Sequence, residues 1–242
     1  MNPRLVIGIQ PVREAIRAHG ARLTKVMVER GAGRELDAVA RFAEDQGAAV
    51  ARVDRAELDR IARGGRHQGV LALAPELELV ALDDIDAGEG ACIVALDELE
   101  DPQNFGAILR SAVALGATAV VWPEHHSAPL TPATFRASAG AVERATLCRV
   151  TNLASALQAL RARGVSVIGL DAAASEPIAT IPLAGPVALV VGAEGKGLRR
   201  GVKQCCDRLA RLPMPGPIGS LNASVSAAIA LYEVLRQRTV LA

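Results

Sequence analysis

The stretch Val187-Ala-Leu-Val-Val-Gly-Ala-Glu-Gly-Lys-Gly-Leu-Arg-Arg200 decides the fold of the second half of this chain. Its first five residues, Val187–Val191, are apolar without alternation, which is typical of a strand buried on both faces of a parallel sheet. Three glycines follow at positions 192, 195 and 197, and they predict either positive φ angles or a close approach of two backbone segments. A helical pattern begins at Leu198, so the stretch predicts a strand–turn–helix unit of an α/β fold.

Glu194 stands between Gly192 and Gly195 in this turn. The turn is not a P-loop, because the spacing to Lys196 is wrong and no Ser or Thr follows that lysine, and it is not G-x-G-x-x-G either. A carboxylate held between glycines could bind a hydroxyl or cationic group of a ligand. A plain tight turn between strand and helix is the alternative.

The rest of the chain divides into two α/β series around an acidic segment. Residues 1–75 alternate helical and strand patterns and predict a small α/β domain, residues 76–90 predict an acidic linker, and residues 91–242 predict a larger domain with a parallel sheet. The predicted strands are Lys25–Glu29, Ala49–Val53, Gly69–Ala74, Ala91–Leu96, Thr118–Trp122, Thr146–Val150, Val165–Leu170, Val187–Val191 and Arg208–Leu212. The predicted helices are Pro11–His19, Arg34–Gln46, Arg55–Ala62, Phe105–Leu115, Thr134–Glu143, Leu153–Ala162, Leu198–Cys205 and Ala223–Arg238.

Composition and charge limit the functions that this chain can have. Only 2% of its 242 residues are aromatic, which argues against RNA-binding surfaces that stack bases on exposed rings. The net charge of +1 hides a segregation, since residues 1–80 carry +2, residues 81–101 carry −8 and residues 102–242 carry +7. Nearly all the bases are arginines, which suit phosphate contacts, although a GC-rich coding bias explains that preference equally well.

Other classes of protein are disfavoured by simple features of the sequence. No apolar run reaches the length of a membrane-spanning helix, and the first ten residues do not resemble a signal peptide. The four cysteines form no C-x-x-C pair, and His125-His126 lack a third ligand at a suitable spacing, so we expect no metal site. Reduced thiols and a cytoplasmic location are the simplest interpretation.

Two further motifs flank the larger domain's predicted sheet. In the first, Leu96–Ala112, Asn104 lies at a strand-to-helix junction and Arg110 about two turns into the helix. Spacing alone favours Asn104 as a helix N-cap and Arg110 as a solvated charge. The second, Leu212-Pro-Met-Pro-Gly-Pro-Ile-Gly-Ser-Leu-Asn222, predicts a rigid irregular loop that suits a neutral ring such as adenine. A core helix with a Ser or Asx cap is the alternative, and the small residues at 223–230 predict close packing on another backbone.

In this order and spacing, the three motifs resemble the SpoU/TrmH branch of the SPOUT RNA methyltransferases, from Ala91 to about Arg238. The resemblance implies a parallel sheet with a deep trefoil knot at its C-terminal end, S-adenosylmethionine as cofactor without a metal, and a homodimer. The catalytic residues that it implies are Asn104, Arg110, Glu194, Ser220 and Asn222. The cofactor contacts assigned with it are Gly192, Gly195, Leu212, Met214, Ile218 and Leu221.

The first domain extends the resemblance. Gly8–Ala15 and Arg66–Val70 are similar to the small RNA-binding domain of RlmB-type enzymes, which resembles ribosomal protein L30e. This implies methylation of the ribose 2′-oxygen of a guanosine in the peptidyl-transferase P loop of 23S ribosomal RNA, with His67, Gln68 and Arg136 as substrate contacts. A surface turn is the alternative for His67.

Three alternatives to this function remain open. The chain could methylate another ribosomal site or a tRNA, or it could bind RNA without catalysis. A nucleotide-dependent oxidoreductase is disfavoured, because no G-x-G-x-x-G follows the first strand of the larger sheet.

Overall fold

The computed structural model describes residues 3–217 and 219–240, in which eleven strands and eight α-helices follow one another. The strands are β1 (Arg4–Ile7), β2 (Lys25–Glu29), β3 (Val50–Val53), β4 (Val70–Ala74), β5 (Cys92–Asp97), β6 (Ala119–Pro123), β7 (Leu147–Val150), β8 (Ser166–Leu170), β9 (Glu176–Pro177), β10 (Val187–Gly192) and β11 (Arg208–Arg211). The helices are α1 (Ile9–His19), α2 (Arg34–Asp45), α3 (Arg55–Ala62), α4 (Pro102–Ala114), α5 (Pro132–Ala137), α6 (Leu153–Ala162), α7 (Arg200–Lys203) and α8 (Ala223–Val240).

The chain forms two compact units. The N-terminal unit contains the residues up to Glu78 together with Leu130–Arg144, and the C-terminal unit contains Leu79–Pro129 and the residues from Ala145 onward. The division after Glu78 falls inside the segment 76–90 that the sequence predicts as a linker. The later part of that segment packs on the C-terminal unit, where Ile85 is only 1% exposed.

The N-terminal unit is built on a mixed four-stranded sheet in the order β1-β4-β2-β3. Strands β1 and β2 run antiparallel to β4, whereas β3 runs parallel to β2. Alternation along β2 separates two cores, with Val26 and Val28 packed among residues of α1 and α2, and Met27 packed with residues of α3. The sheet is therefore covered on both faces, by α1 and α2 on one side and by α3 on the other. The sequence does not predict strand β1, because its four residues are too few to show the alternation of a strand.

The segment 130–144 departs from the sequence prediction. The prediction of a continuous helix over Thr134–Glu143 is wrong, because α5 ends at Ala137. The backbone then takes positive φ angles at Ala139 (49°) and Gly140 (87°). A Cβ on Gly140 would lie 2.8 Å from Pro11 Cα, so this glycine allows the segment to approach α1 closely. The break is therefore set by a tertiary contact that no local pattern reveals.

A buried carboxylate ties this segment to the start of the chain. Arg4 donates from Nη1 and Nη2 to the two Glu143 oxygens at 2.8 and 2.6 Å. His19 Nε2 lies 2.9 Å from Glu143 Oε2, and the Glu143 side chain is 1% exposed. A carboxylate with this little solvent depends on its partners, so the contact fixes Leu130–Arg144 within the N-terminal unit.

The C-terminal unit has a seven-stranded sheet in the order β7-β6-β5-β10-β8-β11-β9, and every pair in it is parallel. This confirms the predicted α/β class, and buried β5 and β10 show why their sequences lack alternation. Strand β10 inserts between β5 and β8, so the chain changes direction at this point of the sheet. The carboxyl ends of these strands meet at one edge, which is where open α/β sheets place their ligands.

Helix α8 closes the C-terminal unit. Its small residues Ala223, Ala227 and Ala230 are buried, and α8 packs against α4 and β10. The predicted close packing of the small residues is thus present inside this unit. The opposite face of α8 leaves apolar side chains exposed.

Candidate functional site

The glycine turn after β10 has both properties that its sequence predicts. A Cβ on Gly192 would lie 2.3 Å from the Gly197 carbonyl carbon, and Gly195 and Gly197 have φ angles of 75° and 64°. Gly197 N donates to Ala193 O at 2.9 Å and closes the turn. The backbone therefore folds back on itself at a point where no other residue type fits, and it presents Glu194 at the carboxyl end of the sheet.

Three side chains from distant parts of the sequence form one polar cluster. Asn104 Nδ2 donates to Glu194 Oε1 at 2.9 Å, and Asn222 Nδ2 donates to the same oxygen at 2.6 Å. Asn222 Nδ2 also lies 2.8 Å from Asn104 Oδ1. We call these residues the amide–carboxylate cluster. It unites three of the five predicted catalytic residues.

Asn104 is not the N-cap of its helix. Asp101 is the cap of α4, and its carboxylate accepts from the backbone N–H groups of Gln103 and Asn104 at 3.2 and 3.1 Å. Asn104 is therefore a buried residue of the first turn whose side chain is free to reach Glu194. The interpretation of Asn104 as only a cap is wrong.

Asn222 does have the capping role that the sequence suggested as an alternative. Its Oδ1 accepts from Ser224 N at 2.8 Å and from Val225 N at 3.2 Å at the start of α8. Its Nδ2 is then directed to Glu194. One amide thus satisfies the helix end and the cluster together, so its rotamer is fixed by both.

The cluster leaves part of Glu194 open. Both amides donate to Oε1, and Ala223 N at the start of α8 lies 3.5 Å from the same oxygen. The positive end of α8 and the amide donors therefore all face this one oxygen. Within the described residues, Oε2 makes no hydrogen bond, so it is available to a ligand hydroxyl.

A cavity of about 560 Å³ adjoins the cluster at the carboxyl ends of β8, β10 and β11. Its size lies within the range of small-molecule sites. Ile218, another predicted cofactor contact, lies outside the described residues. Two predicted catalytic residues besides Glu194 and the other predicted cofactor contacts line the cavity, namely Ser220 and Asn222, and Gly192, Gly195, Leu212, Met214 and Leu221.

The cavity also contains a charged pair that the sequence analysis did not predict. Lys203 Nζ lies 2.5 Å from Asp171 Oδ2, and both residues line the cavity. The hydrogen bond from Lys203 and a second one from Ala173 N hold the pKa of Asp171 below its usual range. The only signal in the sequence is an acid directly after the strand β8, at the sheet edge where ligands bind.

Arg110 lies apart from the cluster. It is exposed on α4 and does not line the cavity, and its side chain makes no hydrogen bond or ion pair among the residues that the structure describes. The sixth position from Asn104 along a helix points about 120° away from it, which explains the separation. The predicted catalytic role of Arg110 stays a prediction.

Asp97, which the sequence analysis also did not single out, stabilises the glycine turn. It ends β5 with no solvent exposure, and its two oxygens accept from Arg199 N and Arg199 Nε, both at 2.7 Å. This contact fixes the end of the glycine turn to the neighbouring strand. A buried acid with both oxygens bonded to one residue in this way orders the backbone.

The predicted RNA contacts of the N-terminal unit have different environments. His67 is 5% exposed, with Nε2 at 2.8 Å from Asp59 Oδ1 and Nδ1 accepting from Gly69 N at 3.0 Å. Gln68 has positive φ (54°) and accepts from Ile9 N at 3.2 Å. These two side chains order the turn before β4, whereas Arg136 is exposed on α5. Their contact with RNA stays a prediction.

Comparison with protein families matches both parts of the chain. Residues 91–232 match the SpoU rRNA Methylase family, and residues 5–80 match the family described as RNA 2′-O ribose methyltransferase substrate binding. A protein of Mycolicibacterium vanbaalenii described as an uncharacterized tRNA/rRNA methyltransferase is 42% identical over 241 residues, which cover 97% of this chain and 76% of that protein.

Solved structures show the same similarity. The SpoU methyltransferase AviRb of Streptomyces viridochromogenes, in complex with AdoMet, has a TM-score of 0.79 at 26% identity over 99% of this chain and 92% of its own. A structure described as an RNA 2′-O ribose methyltransferase has a TM-score of 0.82 at 30% identity over 98% of this chain and 90% of its own. In the described part of the chain, no group of three or more His, Cys, Asp or Glu side chains could hold a metal, and no helix is long and apolar enough to cross a membrane.

Proposed function

Because this chain belongs to the SpoU rRNA methylase family, we propose that it transfers a methyl group from S-adenosylmethionine to a ribose 2′-oxygen in RNA. The specific target that we propose is a guanosine in the peptidyl-transferase P loop of 23S ribosomal RNA, methylated in the cytoplasm. The observation that carries the proposal is the amide–carboxylate cluster at the mouth of a cavity of about 560 Å³. It combines a cofactor-sized space with groups that can orient a hydroxyl.

The lining of the cavity fits S-adenosylmethionine. Leu212, Met214 and Leu221 offer apolar contacts for an adenine ring, and the backbone of the glycine turn offers hydrogen-bonding groups. The Asp171–Lys203 pair offers a carboxylate for hydroxyl or ammonium groups and an ammonium for a carboxylate. When bound, this cofactor would supply a methyl group already activated by its sulfonium.

The protein's own task is then to orient the ribose hydroxyl and to help remove its proton. We assign orientation to the cluster, in which Glu194 Oε2 is open to a hydroxyl while both amides hold Oε1. A guanidinium is effectively always protonated, so Arg110 suits a phosphate or a developing alkoxide better than it suits the role of base. Its exposure on α4 leaves it accessible to RNA.

We further propose that the chain acts as a homodimer through α8 and that the C-terminal end of the sheet is knotted. Five apolar side chains on or next to α8 are between 39% and 59% exposed, and their spacing places most of them along one stripe. They are Leu221, Val225, Ile229, Tyr232 and Leu235. A second copy of the stripe would cover them, as an isologous interface requires.

The test is to map 2′-O-methylation in ribosomal RNA and tRNA from cells with and without this gene product, by resistance to alkaline hydrolysis. We expect the loss of one mark, on a guanosine of the P loop in 23S RNA. Loss of a different ribosomal mark would overturn the specific target while keeping the reaction. Loss of a tRNA mark alone would overturn the ribosomal assignment, and no lost mark would favour an RNA-binding relative without catalysis.

A further inference from the structure

We propose that a second cavity, which lies wholly in the N-terminal unit, holds an unpaired nucleotide of the substrate RNA. This rests on the proposed function, and it specifies which surface of the unit takes the RNA. The cavity measures about 820 Å³. We call it the arginine cavity after the charged residues among its lining, Arg63, Arg66 and Arg136.

The floor of the arginine cavity is apolar and incompletely covered. Leu5 and Leu73 are directly opposite each other on β1 and β4, and Ile61 of α3 lies beside them. All three are only half-buried, on the face of the sheet that α3 packs against. Flat apolar surface of this kind can receive the face of a base, whereas it cannot hold a free inorganic ion.

The rim brings together two distant segments. Arg63 ends α3 in the left-handed conformation, with φ 47° and ψ 48°, and Arg66 follows after Gly64 and Gly65. A Cβ on Gly65 would lie 2.9 Å from Ile7 Cδ1, so this turn passes close over the floor. Arg136 comes from α5, more than sixty residues later in the chain. The cavity exists only because Leu130–Arg144 packs on this unit.

The rim arginines form no ion pair, unlike several other arginines of the unit. The side chains of Arg63, Arg66 and Arg136 are exposed and make no hydrogen bond or ion pair within the described residues. By contrast, carboxylates pair with the arginines at positions 4, 17, 30, 52 and 55. No acid lines the cavity, and residues 60–75 contain three arginines and no acid. Three arginines without an acidic partner around one cavity create a positive potential that attracts an anionic ligand.

The combination of floor and rim fits a nucleotide with its flanking phosphates. Guanidinium groups bind phosphate through paired donors, and they can also stack on a base. That second property matters here, because only 2% of the residues are aromatic and none of them lines the cavity. An unpaired base is needed, since a base within a duplex cannot present its face to the floor.

The test compares RNA binding by two double variants of the full-length chain. Fluorescence anisotropy would follow a fluorescein-labelled RNA hairpin with an unpaired loop, titrated with Arg63→Ala/Arg136→Ala and with Arg34→Ala/Arg41→Ala as the matched control. Arg34 and Arg41 are likewise exposed and without an acidic partner in the part of the unit that the structure describes. We expect the first variant to bind on the order of tenfold more weakly and to lower the slope of log Kd against log salt by roughly 1.4, about 0.7 for each lost phosphate contact. The control should bind within about twofold of wild type.

A second arm tests the apolar floor and the identity of the ligand. Leu73→Gln should weaken the hairpin several-fold while leaving the salt slope unchanged, and polyglutamate should compete poorly. Equal weakening by both double variants, or polyglutamate competing as well as RNA does, would overturn the proposal in favour of a general charge effect or an acidic protein partner. The proposed reaction is tested separately, by methyl transfer from wild-type protein at saturating RNA, because absence of transfer would overturn the reaction while leaving the hairpin-binding result to decide the cavity.

Discussion

The two cavities of this chain differ in how their polar groups are satisfied. In the C-terminal unit, Asn104, Glu194 and Asn222 bond to one another and to the ends of two helices. In the N-terminal unit, the three rim arginines have no partner among the described residues. A network satisfied before any ligand arrives can hold reacting groups in place, whereas uncompensated cations gain most when an anionic ligand binds. This contrast supports the proposals of methyl transfer at the first cavity and RNA binding at the second.

The largest effect should follow from removing the carboxylate of the cluster. Glu194→Ala should lower the single-turnover rate of methyl transfer on the order of 10³-fold, because the amides and the ribose hydroxyl lose their common partner. Arg200→Ala, at an exposed position after the same turn, is the control and should stay near wild type.

The affinity for the cofactor distinguishes a role of Glu194 in orienting the ribose hydroxyl from a general disruption of the site. Calorimetry should give Glu194→Ala an affinity for S-adenosylmethionine within a few-fold of wild type. A double-mutant cycle with Asn222→Ala should show strong non-additivity, because both residues act through one oxygen. Near-wild-type turnover in Glu194→Ala would assign the cluster a structural role only.

The second-largest effect concerns the stability of the N-terminal unit, on which the arginine cavity depends. Glu143→Gln should lower the free energy of unfolding by about 3 kcal/mol, since it leaves Arg4 and His19 without their buried anion. Urea denaturation measures this change, with Asp54→Asn in the exposed Arg30 pair as the control. An unchanged midpoint for Glu143→Gln would mean that Leu130–Arg144 contributes nothing to the stability of the unit, which would weaken the case for Arg136 on its rim.

The sequence predicts the elements of this fold better than it predicts contacts between them. The bounds of β2, α3 and α6 agree with the prediction, because glycines, caps and apolar runs specify them locally. The helix predicted over Thr134–Glu143 fails because Gly140 adopts its conformation against α1, more than a hundred residues away.

The candidate site shows the same limit. Asn104 and Glu194 are 90 residues apart, and only the resemblance to a family, rather than any spacing, places them together. Asp171 and Lys203 were missed because each is an ordinary charge in its own segment, and they pair only because the end of β8 lies beside the end of α7. The role that we propose for Arg63 and Arg66 depends on the later segment that carries Arg136.

The smallest effect concerns the Asp171–Lys203 pair. Asp171→Asn should weaken binding of S-adenosylmethionine roughly tenfold, since one charged partner of the ligand is lost. Glu176→Gln in the Arg208 pair serves as a control, because that pair does not line the cavity. Calorimetry at constant salt measures both.

The pH dependence of stability supplies an independent check on Asp171. Its pKa is lowered in the folded chain, chiefly by the hydrogen bond from Lys203, so its contribution is present above the unfolded value of about 3.9. The contribution is lost as pH falls through the folded value. The difference in thermal midpoint between wild type and Asp171→Asn should therefore be constant near pH 6 and shrink below about pH 4. A difference that grows on acidification would contradict the assigned direction.

The central claim is that the amide–carboxylate cluster directs a methyl group to a ribose oxygen. The most direct measurement is mass spectrometry of nucleosides from a 23S RNA fragment incubated with labelled S-adenosylmethionine and either wild type or Glu194→Ala. We predict labelled 2′-O-methylguanosine with wild type and almost none with the variant. Label on a base, or equal amounts of 2′-O-methylguanosine with both proteins, would contradict the claim.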